Sequence, residues 1–320
     1  MTALPPPFTN ALVLTGPTGS GKTALGIEHA RRLDAEIISM DSMALYRGLD
    51  IGTAKPTPAD RAAVRHHLID VLEPWESASV AWWLGQAKSC CREIERRGKR
   101  GLFVGGTPLY LKALLRGLFD GPPADAELRR RLEEEAAQLG AASLHTRLAQ
   151  VDPASAARLH ANDRRRIIRA LEVFELTGKP ISAWQTQWLE PPACGLAKTD
   201  RDSVPKPQAT PILWLDLPRA DLYDRINRRV EAMFAAGLVD EVRNLLSLPR
   251  PLSKEATQAL GYKEVIGYLD GKQGLAETIA LVQTRTRNFA KRQITWFRHL
   301  PHCRPATSQL TGDLWHPTMK

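Results

Sequence analysis

The sequence predicts an α/β fold in which a parallel sheet is flanked by helices and interrupted by an all-helical insertion. Short apolar runs alternate with helix-forming segments at both ends of the 320-residue chain, which is typical of a doubly wound sheet. Residues 125–189 instead carry only helical patterns, and a glycine-rich loop directly follows the first apolar run. We therefore expect residues 1–119 and 211–320 to form a core that ends in basic helices. Residues 120–210 should form a helical insertion with a return loop.

The first part of the chain alternates between the two kinds of element. Apolar runs predict strands at residues 11–14, 36–40, 67–72 and 102–104. Helical spacing predicts helices at residues 24–33, 79–97 and 109–115. Two glycines and two prolines mark residues 46–60 as mostly loop. Because ligands of parallel sheets lie at the carboxyl ends of the strands, the residues that follow these strands are candidates for a site.

After the insertion the sheet resumes. Five prolines between residues 190 and 211 predict a loop, and the apolar run that follows predicts a strand ending in Asp216. This acid could hold Mg²⁺, as the acid after a Walker-B strand does, or simply end the strand. The remaining predicted helices cover residues 222–234, 258–269 and 275–300.

The loop after the first strand matches the phosphate-binding pattern G-x-x-x-x-G-K-[ST]. Its backbone N–H groups can surround a phosphate at the positive end of the following helix. Lys22 adds a positive charge, and the Thr23 hydroxyl can join the shell of a Mg²⁺ ion. We therefore expect a P-loop NTPase-like sheet. It should bind a di- or triphosphate through Gly16, Pro17, Thr18, Gly19, Ser20, Gly21, Lys22 and Thr23.

Two further polar residues end predicted strands at the same edge of the sheet. Asp41 follows the second strand, and Thr107 follows Gly105 and Gly106 after a later one. Asp41 could cap a turn, hold Mg²⁺ or accept a proton from a nucleophile. The Thr107 hydroxyl could position the same nucleophile or cap the next helix. One pocket can hold both residues together with the phosphate loop.

The charge distribution points to a polyanionic partner. The net charge is +9, and the stretch from Thr278 to Gly312 has six Arg or Lys and no Asp or Glu. Phe289, Trp296 and Phe297 interleave with these cations. A solvated basic face over a buried aromatic stripe is one explanation. A nucleic-acid surface explains the missing acids better, because phosphates attract cations and repel carboxylates.

Targeting signals and metal-binding cysteine patterns are not apparent in the sequence. No apolar run approaches the roughly 20 residues of a membrane span, and the N-terminus lacks the pattern of a signal peptide. The four cysteines have no metal-binding spacing. We expect a cytoplasmic monomer with reduced thiols and no membrane association.

Together these motifs resemble the bacterial tRNA dimethylallyltransferase family, whose members are also called tRNA isopentenyltransferases. The resemblance spans about residues 10 to 300, in the family's order. It is most specific in the runs Asp50–Pro56 and Lys291–Arg298. The other residues that carry it are Gly16–Thr23, Ser39–Ser42, Gly48–Leu49, Gly105–Tyr110, Arg169–Val173, Gly261 and Tyr262.

The resemblance implies transfer of a dimethylallyl group from dimethylallyl diphosphate to the exocyclic N6 amine of adenosine 37 in tRNA, with Mg²⁺ as cofactor. It implies that Asp41 is the general base and that Thr107 is a partner of the target amine. Lys22 and Arg225 would assist the diphosphate held by the phosphate loop. The implied contacts with the anticodon stem-loop of tRNA are Asp41, Ser42, Met43, Ala44, Thr107, Arg129, Arg165, Arg166, Ile167, Ile168, Arg169, Gln258, Ala259, Leu260, Gly261, Tyr262, Lys263, Lys291, Arg292, Gln293, Ile294, Thr295, Trp296, Phe297 and Arg298.

Three other functions use some of the same features. A nucleotide or small-molecule kinase would use the phosphate loop but would leave the acid-free C-terminal helix without a role. A prenyltransferase acting on free adenine nucleotides would leave the helical insertion and the basic tail without one. An RNA-binding protein without enzymatic activity would leave Lys22, Thr23 and Asp41 idle.

Overall fold

The computed structural model describes residues 4–119, 121–185, 212–300 and 303–307. The chain divides into two compact units, one comprising Met1–Leu115 and Val204–Lys320 and the other Arg116–Ser203. Both domain boundaries predicted from the sequence, near residues 120 and 210, lie outside the described residues, as does the predicted return loop.

The first unit is built on a six-stranded sheet with the strand order β3-β2-β4-β1-β5-β6. Every neighbouring pair is parallel. In the centre, Leu12 of β1 lies opposite Leu102 of β4, and Val13 lies opposite Ile212 of β5. The strands are β1 (Leu12–Thr15), β2 (Ala35–Ser39), β3 (His66–His67), β4 (Arg100–Gly105), β5 (Ile212–Leu215) and β6 (Cys303–Ala306).

Helices fill the connections between the strands and make up the second unit. Among the described residues, no helix is both long and apolar enough to cross a membrane. The first unit contains α1 (Lys22–Arg32), α2 (Pro58–Ala63), α3 (Val80–Arg96) and all but the last residue of α4 (Pro108–Arg116). The second contains α5 (Ala126–Leu139), α6 (Ala141–Val151), α7 (Pro153–Arg158), α8 (Arg164–Thr177) and α9 (Ile181–Trp184). The first unit then continues with α10 (Arg219–Ala235), α11 (Leu238–Leu246), α12 (Lys254–Thr257), α13 (Tyr262–Leu269) and α14 (Leu275–His299).

The central strands are buried along their whole length, as expected for a parallel sheet covered on both faces. Leu12, Leu14, Ile37, Leu102 and Leu213 belong to one apolar cluster. Burial on both faces is why these strands appear in the sequence as continuous apolar runs. The structure confirms the predicted parallel sheet, flanking helices and helical insertion.

Several elements differ from the sequence prediction, which missed the short helices α2 and α12. The strand expected over residues 67–72 is only the two-residue β3. The short strand β6 was not predicted, and it contains Pro305. Proline is tolerated there because β6 lies at the edge of the sheet, where one row of backbone N–H groups needs no partner. The helix α11 was also missed, although its buried Leu238, Val242 and Leu245 have helical spacing.

The second unit has its own apolar core, in which Leu132, Leu144, Leu148, Ile167 and Leu171 are buried. A buried carboxylate accompanies this core. Glu172 is 0% exposed and accepts two hydrogen bonds from Arg129 at 2.8 and 2.9 Å and one from Arg169 at 2.5 Å. Burial opposes ionisation of Glu172, but these hydrogen bonds outweigh it and lower its pKa.

Candidate active site

The predicted phosphate loop connects β1 to α1. Gly19 and Gly21 have φ angles of 81° and 87°, a left-handed conformation that favours glycine. Within the loop, Ser20 N–H donates to the Pro17 carbonyl at 3.2 Å. The helix begins at Lys22, so its first N–H groups and its positive dipole end face the loop. This geometry suits a phosphate group.

Lys22 is the cation of this loop, and its pKa lies close enough to neutral pH for its charge to depend on pH. Its Nζ donates to the Pro17 carbonyl at 3.3 Å. Burial, together with the nearby positive charge of Arg229, lowers its pKa to about 8, while the negative charge of Asp41 partly offsets the shift. Lys22, Arg229 and Asp41 therefore form one electrostatic group. A bound polyanion would favour the charged form of Lys22.

Asp41 and Thr107 come together after β2 and β4. One Asp41 oxygen accepts the Met43 N–H at 2.9 Å, as a turn-capping acid does. The Thr107 hydroxyl oxygen accepts the Ser42 N–H at 3.2 Å, so it is bonded to the Asp41 segment. A hydroxyl that accepts one hydrogen bond keeps its own proton to donate. Thr107 can therefore donate to a substrate, and Asp41 keeps a carboxylate oxygen that can accept a proton.

The backbone around Thr107 packs directly against that of Met40. Thr107 N–H donates to the Met40 carbonyl at 3.1 Å. A Cβ atom added to Gly105 would lie 2.4 Å from the Met40 carbonyl carbon, so a side chain there would force the two strand ends apart. The last position of β4 therefore requires glycine.

Two arginines of α10 face the same region. A Cβ added to Gly21 would lie 3.7 Å from Arg225 Nη1, which places the predicted diphosphate partner beside the phosphate loop. Arg229 was not predicted from the sequence. Burial lowers its pKa and Asp41 raises it, and its Nη2 donates to the Thr53 carbonyl at 3.4 Å. Its position four residues after Arg225, one helical turn along α10, was the signal that could have identified it.

The specific run from Asp50 to Pro56 acts as a scaffold. Glu241 of α11 accepts the N–H groups of Asp50, Ile51 and Gly52 at 3.1, 2.7 and 3.3 Å. Lys55, whose side chain is 2% exposed, pairs with Asp50. These contacts fix the loop whose Thr53 carbonyl receives Arg229.

The segment from Gln258 to Lys263 is divided between surface and core. Gln258 and Lys263 are exposed and are joined by a 2.8 Å hydrogen bond from the lysine to the amide oxygen. Leu260 is half-buried, whereas Ala259 and Gly261 are buried. Tyr262 is also buried, and its hydroxyl donates to Glu241 at 2.6 Å. Because the side chains of Ala259 and Tyr262 are buried in this structure, they cannot make the predicted contacts with RNA.

The basic helix α14 likewise has both exposed and buried residues in the predicted RNA-binding run. Within the run Lys291–Arg298, the exposed residues are Lys291, Arg292, Thr295 and Arg298, and the half-buried ones are Ile294 and Trp296. Gln293 and Phe297 are buried, so these two side chains face the inside of the unit and not a partner. Arg285 pairs with Glu264, and Arg287 donates to the Asn227 side chain at 2.6 Å. The available cationic surface of the predicted run therefore lies on the last part of the helix, at Lys291, Arg292 and Arg298.

The predicted RNA contacts of the second unit also differ in exposure. Arg165 and Arg166 are exposed at the start of α8, and Arg166 pairs with Asp163 at 2.8 Å. Arg129 and Arg169 are engaged with Glu172, and Ile167 and Ile168 are buried in the core of the unit. The two isoleucines thus shape the helix and do not present their side chains to a ligand. Of the predicted segment after β2, Ala44 is also buried, whereas Asp41, Ser42 and Met43 are half-buried.

A cavity of about 650 Å³ lies where β5 and β6 end. Asp216, Arg219, Lys291 and Arg298 contribute charged groups to it. The backbone N–H of Asp216 donates to the Ala306 carbonyl at 3.1 Å, which fits the strand-end role left open in the sequence. The cavity extends the positively charged surface of α14.

The phosphate loop offers one hydroxyl group of the kind that a hydrated Mg²⁺ ion takes as a ligand. The described residues contain no group of three or more His, Cys, Asp or Glu placed to hold a metal. Mg²⁺ bound to a phosphate needs only one or two protein ligands, because waters and phosphate oxygens complete its shell. The half-buried Thr23 lies in the first turn of α1, beside Lys22. Its hydroxyl matches this requirement.

Comparisons with known proteins agree with one another. Residues 44–300 match the family model described as IPP transferase, and residues 9–71 match that described as isopentenyl transferase. A protein of Trichlorobacter lovleyi named tRNA dimethylallyltransferase 1 is 48% identical over 290 residues, covering 91% of each chain. A protein of Syntrophobacter fumaroxidans named tRNA dimethylallyltransferase is 46% identical over 92% of this chain and 82% of its own.

Solved structures give the same result. The tRNA isopentenylpyrophosphate transferase of Bacillus halodurans is 39% identical, with a TM-score of 0.63 over 93% of this chain and 90% of its own. A eukaryotic dimethylallyltransferase acting on tRNA is 27% identical, with a TM-score of 0.71 over 95% of this chain and 75% of its own. Because a family model and these relatives each match most of its length, the chain belongs to the IPP transferase family.

Proposed function

We propose that this protein transfers a dimethylallyl group from dimethylallyl diphosphate to the exocyclic N6 amine of adenosine 37 in tRNA, giving N6-isopentenyladenosine. The observation that carries the proposal is the convergence of three features in one unit. The first is the phosphate loop with the half-buried Lys22, and the second is Asp41, whose negative charge raises the pKa of Lys22. The third is the Thr107 hydroxyl, which accepts a hydrogen bond from the residue after Asp41. Membership of the IPP transferase family supports the same reaction.

In the proposed reaction, the C1–O bond of the donor breaks and diphosphate leaves with the electron pair. An adenine amine is a weak nucleophile because its lone pair is delocalised into the ring. Much of the bond breaking must therefore precede attack, and negative charge gathers on the phosphate oxygens. Loop N–H groups, Lys22 and Arg225 would stabilise that charge, and Arg229 adds a second guanidinium nearby.

As the new bond forms between C1 and N6, the amine must lose one proton. Asp41 would accept it through the carboxylate oxygen that is not bonded to Met43. The Thr107 hydroxyl would orient the amine, while its oxygen stays bonded to Ser42 N–H. The target base has to leave its stack to reach these groups, as in other enzymes that modify a base.

The donor diphosphate is expected to bind with Mg²⁺ held through the Thr23 hydroxyl and the phosphate oxygens, where the ion would neutralise charge on the leaving group. The exposed cations Lys291, Arg292 and Arg298 would contact the backbone of the anticodon stem-loop. The exposed Arg165 would add contacts from the second unit. We place the reaction in the cytoplasm, where a tRNA substrate is available.

One assay separates this function from the alternatives. The protein is incubated with labelled dimethylallyl diphosphate and, separately, with labelled ATP, and unmodified tRNA and AMP are offered as acceptors. We expect label from the prenyl donor to enter tRNA only. Phosphoryl transfer from ATP would indicate a kinase. Prenylation of AMP in preference to tRNA would indicate a small-molecule prenyltransferase.

A further inference from the structure

Gln293 lies inside the unit and joins two parts of the candidate site. It belongs to the run Lys291–Arg298, which the family resemblance assigns to RNA binding, but it is only 3% exposed. Its Oε1 accepts the Thr18 N–H of the phosphate loop at 2.9 Å. Its Nε2 donates to the Gly106 carbonyl at 2.6 Å. One amide side chain therefore bonds both loops.

The two partners fix the chemistry that this position requires. Thr18 N–H can only donate, and the Gly106 carbonyl can only accept. A buried side chain must then offer one acceptor and one donor about as far apart as the two ends of an amide. A hydrocarbon side chain would leave both backbone groups buried without a partner, which is costly. An ionised carboxylate would satisfy Thr18 but could not donate to Gly106.

Space around Gly106 is equally restricted. An added Cβ would lie 2.6 Å from Gln293 Nε2, 3.0 Å from the Gly16 carbonyl oxygen and 3.5 Å from Lys22 Cε. The phosphate loop, the loop after β4 and Gln293 thus meet at one point. The next residue along is Thr107, whose hydroxyl is bonded to Ser42.

We propose that Gln293 is a positioning residue and not an RNA contact. It sets the separation between the phosphate loop and the pair formed by Asp41 and Thr107. This role rests on the proposed function, because the phosphate loop would hold the donor and its reacting carbon, and Asp41 and Thr107 would hold the acceptor amine. Transfer requires these two atoms to be aligned at close range, where small displacements slow a reaction strongly. Gln293 is uncharged and bonds only to backbone groups of the two loops, so it would act on the reacting groups by positioning them.

The test compares Gln293→Met and Gln293→Glu with Gln283→Met, a control on the same helix. Gln283 donates to Glu231 at 3.0 Å and to the Asn227 carbonyl at 3.4 Å, both on α10, and has no hydrogen bond to either loop among the described residues. We expect Gln293→Met to lower kcat for transfer by about 10- to 100-fold. Its affinity for an unmodified anticodon stem-loop should stay within about twofold of the wild type. Gln283→Met should leave kcat, both KM values and stem-loop affinity unchanged.

Gln293→Glu gives a second measurement that a purely structural role would not move. A protonated carboxyl group can accept from Thr18 and donate to Gly106, as the amide does. We therefore expect kcat of this variant, relative to the wild type, to rise as the pH is lowered through the pKa of the new acid. A pH-independent ratio would contradict the proposal, even if Gln293→Met failed to fold. Normal kcat in Gln293→Met, or weaker stem-loop binding with kcat intact, would also overturn it.

Failure of the proposed function can be distinguished from failure of this inference. If the wild type modifies no RNA, the proposed function fails. The bond to Thr18 is still testable by amide hydrogen exchange, because Gln293→Met should expose the Thr18 N–H and speed its exchange. Unchanged protection of Thr18 in that variant would show that Gln293 does not hold the loop.

Discussion

The half-buried Lys22 makes the affinity for diphosphate depend on pH in a calculable way. Its pKa is lowered to about 8 by burial and by Arg229, against the opposing effect of Asp41. With that pKa, about nine-tenths of the Lys22 side chains are protonated at pH 7 and about one-tenth at pH 9. A bound diphosphate strongly favours the protonated form, because it places negative charge beside Lys22. The affinity due to this group should therefore fall about tenfold over that interval.

The assay is calorimetric titration with inorganic pyrophosphate at pH 7, 8 and 9, using the wild type and Lys22→Arg. Arginine stays charged over this range, so the variant reports every effect except titration of Lys22. Ionisation of free pyrophosphate affects both proteins equally and cancels in the ratio of their affinities. We expect that ratio, wild type over variant, to fall about tenfold between pH 7 and 9.

The neighbours of Lys22 predict the sign of two further shifts. Arg229→Gln removes a like charge, so the fall in affinity should move to higher pH. Asp41→Asn removes an opposite charge, so the fall should move to lower pH. A ratio of affinities that does not change with pH, or shifts in the reverse directions, would refute the electrostatic account of this site.

Three other predictions concern the general base, the basic face of α14 and a buried acid of the sheet. At about pH 6, where Lys22 stays protonated in both proteins, Asp41→Asn should leave pyrophosphate binding intact while transfer falls about 10²–10⁴-fold; loss of binding that added Mg²⁺ restores would instead make Asp41 a metal ligand. Replacing the exposed Lys291 and Arg298 with Ala should reduce the slope of log tRNA affinity against log salt by about 0.7–0.9 for each phosphate that the variant no longer neutralises. An unchanged slope would exclude this face from the RNA interface. The pKa of Glu36 is about 2 instead of 4.5, because burial opposes its ionisation but hydrogen bonds from Arg97 and His67 outweigh burial. The stability that this carboxylate adds, about 3 kcal/mol, is complete above pH ~4.5 and is lost as the pH falls towards ~2, so Glu36→Gln should flatten urea-unfolding free energies over that interval.

The elements around the site could be predicted because their signals are local. The phosphate loop needs glycines at positive φ, and β1 and β4 are continuous apolar runs because both faces of the sheet are covered. Asp41 and Thr107 were placed together because strands of a parallel sheet end at the same edge. Each of these inferences uses only neighbours in sequence and one topological rule.

The rest depends on partners that are distant in sequence. Glu241 lies about 190 residues from the loop whose N–H groups it accepts, and Gln293 lies 275 residues from Thr18. The sequence shows Arg285 as one member of a basic run, but it cannot show that Glu264 neutralises it. For the same reason Arg129 and Arg169 resemble free cations until Glu172 is placed between them. Motif matching identified Arg129, Arg169 and Gln293, and only the packed structure shows that they serve as scaffold and are not free surface residues.

The central claim is that the acceptor atom is the exocyclic N6 of adenosine 37, and the most direct test changes that atom. An anticodon stem-loop with inosine at position 37 carries an oxygen there, so it offers no nucleophilic nitrogen and no N6 proton for Asp41. Gel-shift and transfer assays are run on this stem-loop beside its adenosine counterpart. We predict no transfer to inosine, with binding weakened by only about 1–3 kcal/mol, the usual scale for one altered base contact. Prenylated product from the inosine stem-loop would mean that a different atom accepts the group and would contradict the mechanism.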